Sequence, residues 1–213
     1  MAKSAASEAV SDVVSGPDQR REQMLRAAVE VICERGFSDT RISDVAQRAE
    51  ASPALVIYYF GTKDGLLTEA MRWSEDEFYR HTETMLARQS TVPERLQTLV
   101  SLTCVRQRDE EVPGAWGLWF DLWAQAFRHP EVARDRIAMD QRWREVIGGI
   151  VRDGQASGEL GDVDIEDFAI TWGALLDGLS IQVALEDPSV TSDRAVAIAM
   201  RMAAERLGFA PAR

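Results

Sequence analysis

The chain has 213 residues, of which 46% are hydrophobic and 28% charged, a globular balance with apolar mass for one or two compact domains. No run approaches the ~20 apolar residues that cross a bilayer, and residues 1–19, with one Lys, three acids and no apolar stretch, are unlike a signal peptide. The net charge of −11 argues against nucleic acid only until it is divided: residues 1–19 carry −2, residues 20–74 carry 0 and residues 75–213 carry −9.

Residues 1–17 are small, polar and aperiodic, and read as a disordered arm. From Asp18 the apolar residues fall at helical spacing, with Met24, Ala28, Val31 and Ile32 on one face and Gly36 placed to end the helix. Thr40 is the expected N-cap of a second helix that turns Ile42, Val45, Ala46 and Ala49 inward. Ser52 caps a third, with Pro53 at its favoured first position. The short link Ala49-Glu50-Ala51 makes this pair a helix-turn-helix pattern, and residues 18–62 form its domain.

Residues 63–213 form a second helical domain. Thr62 caps a long helix to about Gln89, with Leu66, Leu67, Ala70, Met71, Phe78 and Met85 inward. Further helices open at Pro93, at Pro113 or Gly114, at Pro130, after Asp164, and after Thr191 or Ser192, the last ending at Gly208. The fold class is all-α, with about nine helices. Cys33 and Cys104 sit in apolar helical patterns and read as small buried hydrophobes of a reduced, cytoplasmic protein.

The residues offer no enzyme. His81 and His129 lack a Cys or carboxylate at zinc-site spacing, and neither a phosphate loop nor a nucleophile elbow occurs. No catalytic residue, metal or cofactor is predicted. DNA fits better, because the second helix of a helix-turn-helix enters the major groove by its N-terminal residues. Ser52 can offer a hydroxyl or amide to phosphate, and Pro53, Ala54 and Leu55 keep the approach small and apolar. Tyr58, Tyr59 and Lys63 can reach the phosphate backbone, while Thr40 and Ser43 suit the opposite groove edge. The same residues could equally cap and cover a small bundle.

The stretch from about Arg20 to Trp73, above all GFSDTRISDVAQRAEASPALVIYYFGTKDGLL, resembles the N-terminal domain of TetR-family transcriptional regulators. By position, the resemblance implies phosphate contacts at Thr40, Ser52, Tyr59 and Lys63, and base reading at or near Pro53, Ala54, Leu55 and Tyr58. Glu50 departs from the Gly usual in the turn, Ala54 from a frequent Gly and Ile57 from a frequent Tyr. Arg41 stands where a small polar residue is common and supplies replacement charge.

The resemblance further implies that residues 63–213 bind a small inducer and pair two subunits, and GELGDVDIEDFAITWGALLDGLSIQ is similar to the BetI-type branch. Trp116, Trp119, Phe120, Trp123 and Phe127 read as one helix face, a core stripe or a pocket wall that Trp143 and Trp172 complete. A choline-like or polyamine cation suits the acidic domain, and a hydrophobic or aromatic inducer suits the tryptophans; Asp121 and Asp177 are the candidate polar partners. Ala169, Gly173, Ser180 and Ala184 form a small-residue stripe that, with Ile198 and Met202, suggests either intrachain packing or a four-helix dimer interface.

The sequence therefore predicts a cytoplasmic, homodimeric repressor, away from membranes, that binds a palindromic double-stranded operator. A small molecule releases it by tilting the long helix after Thr62. The alternative is a helical small-molecule sensor or carrier that has lost DNA binding through Glu50 and the missing hydroxyl at Ile57.

Overall fold

The computed structural model describes residues 16–105, 116–127 and 130–210, and among these it contains helices and turns and no strand. Residues 1–15 of the expected arm, the expected helix start at Pro113 or Gly114 and His129 lie outside the described residues, while Pro17, expected in the arm, is the first residue of the first helix. Among the described residues nine helices follow in order: α1 (Pro17–Arg35), α2 (Ile42–Arg48), α3 (Pro53–Phe60), α4 (Lys63–Leu86), α5 (Val92–Cys104), α6 (Trp116–Ala126), α7 (Pro130–Ser157), α8 (Ile165–Ala184) and α9 (Ser192–Leu207). None is long and apolar enough to cross a membrane.

Local chemistry sets most helix ends. Ser52 Oγ accepts the Leu55 amide at 3.1 Å and Thr62 Oγ1 the Gly65 amide at 3.0 Å, each satisfying one orphan donor of a first turn. At α5, Glu94 Oε2 accepts the Thr91 amide at 3.0 Å while Thr91 Oγ1 accepts the Glu94 amide at 3.4 Å, a reciprocal capping box. Asp164 and Thr191 cap α8 and α9. One expected cap moves: α2 begins after Arg41, not Thr40, and the Arg41 amide donates to Asp44 Oδ2 at 3.3 Å.

Two apolar cores form. The first joins Met24, Ala28, Ile32, Val45, Val56 and Phe60 of α1–α3 to Leu66, Leu67 and Ala70 of α4 and Leu118 of α6. The second gathers α5, α7, α8 and α9 around Phe168 and Trp172, whose rings stack at 5.7 Å. Helix α4 is part of the first core, and its last residue, half-buried Leu86, packs against the second, while α6 meets both α1 and α7.

Candidate functional site

The helix-turn-helix presents α3 end-on to solvent. Ser52, Pro53 and Ala54 are exposed at its start, and Tyr58 is 82% exposed, its ring edge-to-face with half-buried Tyr59 at 5.6 Å. Leu55 and Tyr59 spend part of their surface on the first core. Glu50 takes the left-handed turn that a Gly would favour, at φ +51, and its carbonyl accepts Arg20 Nη2 at 2.7 Å, so the expected strain is held by a bond from α1.

The basic side chains divide into committed and available. Arg48 is fixed to Glu30 at 2.9 Å and Glu34 at 2.7 Å, which pins α2 to α1. Arg41 and Ser43 are exposed. Half-buried Lys63 donates to Ser38 O at 2.9 Å. Arg41 and Lys63 share an open hollow with Ser38, Asp39 and the Arg35–Asp44 ion pair, 3.0 Å long, which leaves a single net positive charge there for a phosphate. Thr40 requires correction: it is 1% exposed and its hydroxyl donates to Gly36 O at 2.8 Å. Its side chain organises the loop and does not face a DNA strand.

The second half brings together a different set of groups from the tryptophan stripe. Phe78 and Tyr79 of α4 meet edge-on at 5.4 Å, and Phe78 lies 6.1 Å from the Trp143 ring of α7. Asp140 stands one turn before Trp143, paired with Arg136; Asp177 projects from α8. Burial raises the Asp177 carboxyl to about 6, with repulsion from Asp140 adding and Arg136 opposing. Burial also raises Asp140, against Arg136 and Arg144. Asp177 is an exposed residue, and it is crowding of its carboxyl by the protein, with Asp140 nearby, that holds the proton there. Two acids thus lie beside three rings, and each is held above its ordinary range.

The other expected ligand residues are placed elsewhere or apart. Trp172 is fully buried and donates Nε1–H to Ala199 O at 3.0 Å. It is a core residue and not a pocket wall. Asp121 faces α1, where it accepts the Phe37 amide at 2.7 Å, so it is not a ligand partner. Trp119, Phe120 and Trp123 are half-buried on α6, with Phe120 and Trp123 paired at 6.1 Å. The Trp116 side chain lies outside the described residues. Phe78 reads as core from sequence, and Tyr79 and Asp140 carry no motif. Their one signal is the i, i+3 spacing of Asp140 and Trp143.

The small-residue stripe of α8 is turned inward. Ala169, Gly173 and Ser180 are buried, and a Cβ on Gly173 would lie 3.5 Å from Ile147 and 3.6 Å from Trp143. These three pack within the subunit and cannot carry a dimer contact. Ala184 is half-buried, as are Ile198 and Met202, which pack on the second core. The outward apolar face is Ile170, Ala174, Ile181 and Leu185, with Ile170 45% and Leu185 69% exposed. Among the described residues no cluster of three or more His, Cys, Asp or Glu could hold a metal.

Known proteins match this arrangement in both halves. The profile of "Bacterial regulatory proteins, tetR family" matches residues 24–70, and that of "BetI-type transcriptional repressor, C-terminal" matches residues 93–208. The HTH-type transcriptional regulator BetI of Stenotrophomonas maltophilia is 35% identical over 125 residues, 58% of this chain and 62% of that protein. BetI of Rhizobium meliloti is 27% identical over 84% of this chain and 85% of its own. A transcriptional regulator from Saccharomonospora viridis, solved in complex with choline, superimposes with a TM-score of 0.78 at 26% identity, covering 89% of this chain and 98% of its own. A TetR-family regulator from Rhodococcus sp. gives 0.74 at 27% identity, over 88% and 98%. The chain belongs to the TetR family of bacterial transcriptional regulators, with a C-terminal half of the BetI type.

Proposed function

We propose that this protein is a cytoplasmic repressor that binds a palindromic operator as a homodimer and leaves it when a small organic cation enters the site between α4, α7 and α8. The observation that carries the ligand class is the pairing of Asp140 and Asp177 beside Phe78, Tyr79 and Trp143. A carboxylate whose affinity for protons is raised by burial and by a neighbouring acid is stabilised by any cation that replaces the proton. Aromatic faces add attraction for an ammonium group, roughly 0.5–2 kcal/mol depending on desolvation. The choline complex of the Saccharomonospora viridis regulator supports a quaternary ammonium ligand.

DNA contact is assigned to Arg41, Ser43, Ser52, Pro53, Ala54, Tyr58 and Lys63, with Leu55 and Tyr59 at the edge of the face. The outward apolar face of α8 supports pairing of two subunits, which sets two recognition helices for half-sites about 34–36 Å apart. No step of this reading calls for catalysis.

Titration calorimetry with choline chloride, run on the wild type and on Asp177→Asn, tests the ligand class. The wild type is expected to bind and the variant to lose at least tenfold in affinity, since a neutral amide gives up the charge attraction. Equal binding by both would remove Asp177 from the site. A gel shift with the DNA flanking the protein's own gene, with and without choline, tests the repressor role.

A further inference from the structure

We infer that Asp121, a residue of the ligand-binding half, is a positioning residue for DNA binding: it holds the α1–α2 loop that sets Arg41 and Lys63 on the DNA face. The inference rests on the DNA-binding reading of α2 and α3. Helix α6 meets the DNA-binding half backbone to backbone. A Cβ on Gly117 would come within 3.3 Å of Cys33 Cα and O, so no side chain separates the first turn of α6 from the last turn of α1. Leu118 is buried in the first core. One turn further along the same face, Asp121 Oδ2 accepts the Phe37 amide at 2.7 Å.

The end of α1 leaves that amide available. In the usual Schellman ending, the second amide past the helix bonds back to it. Here Gly36, at φ +82 and ψ 158, sends its own N–H back to Ile32 O at 2.7 Å and turns the chain outward. The Phe37 amide is donated to α6 instead. From this anchor the loop is tied stepwise toward the DNA side. Thr40 Oγ1 donates to Gly36 O at 2.8 Å and Lys63 Nζ donates to Ser38 O at 2.9 Å. The Arg41 amide then closes onto Asp44 at 3.3 Å. A carboxylate beside the negative C-terminal end of α1 is electrostatically unfavourable, so general helix stabilisation gives no reason for an acid here. A directed bond to one amide does.

The test compares Asp121→Ala, which removes the acceptor, with Asp121→Asn, which keeps an oxygen in its place, in the full chain. Amide hydrogen exchange over residues 37–41 is expected to quicken about tenfold in the alanine variant and to stay within about threefold of wild type in the asparagine variant, the scale of one lost hydrogen bond. The alanine variant is also expected to bind about tenfold more weakly to a duplex that the wild type enriches from a random-sequence library, with asparagine restoring binding. Should the alanine chain fail to fold, Asp121→Ser, whose hydroxyl falls short of the amide, is read in its place. Unchanged exchange or unchanged duplex binding in the acceptor-less variant overturns the inference, as does an asparagine variant that behaves like it. A wild type that enriches no duplex sinks the DNA-binding reading itself, and the assignment of Asp121 to DNA binding with it; the exchange contrast tells that failure from the loss of the tether.

Discussion

The Arg142 guanidinium lies 4.0 Å from the centre of the Tyr79 ring, so one aromatic face beside the acidic pair already carries a cation. Arg142 is fixed there by Asp76 at 2.7 Å and approaches Glu75 Oε1 at 4.0 Å. That Glu75 oxygen is buried without a hydrogen-bond partner, and burial holds its carboxyl above the usual range while Arg142 opposes the shift. Arg142→Met keeps the aliphatic stem over Tyr79 and removes the charge. It is expected to cost about 1–2 kcal/mol at pH 8, because a mostly buried carboxylate loses its nearest positive charge. The folded pKa of Glu75 rises further in the variant, so protonation restores stability as pH falls through it. Thermal unfolding at pH 5 and pH 8 checks this: the deficit relative to wild type shrinks at pH 5, and Glu75→Gln in the variant removes the pH dependence.

Asp177 gives the ligand site its own pH signature. Its carboxyl is raised to about 6, by burial first and then by Asp140, against Arg136. A raised carboxyl stabilises the fold below its ordinary pKa and loses that contribution as pH rises through the raised value. Asp177→Asn is therefore expected to stabilise the ligand-free protein at pH 7.5 and to change little at pH 4. Choline affinity moves in the opposite sense. A cation selects the ionised acid, so wild-type affinity should fall by up to about tenfold per unit below pH 6. The asparagine variant should lack this slope at Asp177. Calorimetry at pH 5, 6 and 7.5 measures both.

How much of this was legible in sequence depends on what each signal encodes. The caps at Ser52 and Thr62 were readable because a cap is a local bond, settled within three residues. The left-handed Glu50 is legible only through the resemblance, which implies a Gly at that turn position. Thr40 departs from its expected place through a local choice, its hydroxyl bonding Gly36 O four residues back instead of capping α2; Trp172 and Asp121 do so for a different reason. Helical period says which residues share a face, but not which neighbour that face meets. Trp172 meets α9 through the Ala199 carbonyl, and Asp121 meets the end of α1 across 84 positions of chain. The acidic pair was half visible: Asp177 stood out, but Asp140 acquires meaning only when α7 and α8 are laid side by side.

On the DNA side, Lys63→Ala is expected to weaken binding across sequences and to lower the salt slope by about 1, the loss of one phosphate contact. Tyr58→Ala should also weaken binding without a comparable change in slope, since it carries no charge. Thr40→Val behaves differently, because Thr40 is buried and bonded to Gly36 O. It should cost about 1 kcal/mol of stability by removing one of the two hydrogen bonds to Gly36 O, which keeps the Thr40 amide at 3.2 Å, with the salt slope intact. Fluorescence anisotropy across a salt series separates the two kinds of effect. Weaker DNA binding by Thr40→Val with its stability unchanged would restore Thr40 to the phosphate contacts.

The inward turn of the α8 stripe relocates the expected dimer contact. A charge on Gly173 would strike Trp143 and Ile147 inside the subunit, so Gly173→Glu should unfold the protein locally and report on folding, not assembly. Ile170, Ala174, Ile181 and Leu185 lie along the outward face of α8 and its C-cap at i, i+4, i+11 and i+15, with the exposed Asp177 at i+7 on the edge of that face nearer Asp140. Exposed apolar residues in one row are the usual mark of a helix that packs on a second copy. Leu185→Glu with Ile181→Glu is therefore expected to yield a folded monomer, because like charges meet across a two-fold axis while the second core stays untouched. Light scattering on a sizing column at about 10 μM protein reads the mass, and the far-ultraviolet helical signal reads the fold. If the doubly charged variant remains a dimer of normal helicity, subunits pair through another surface.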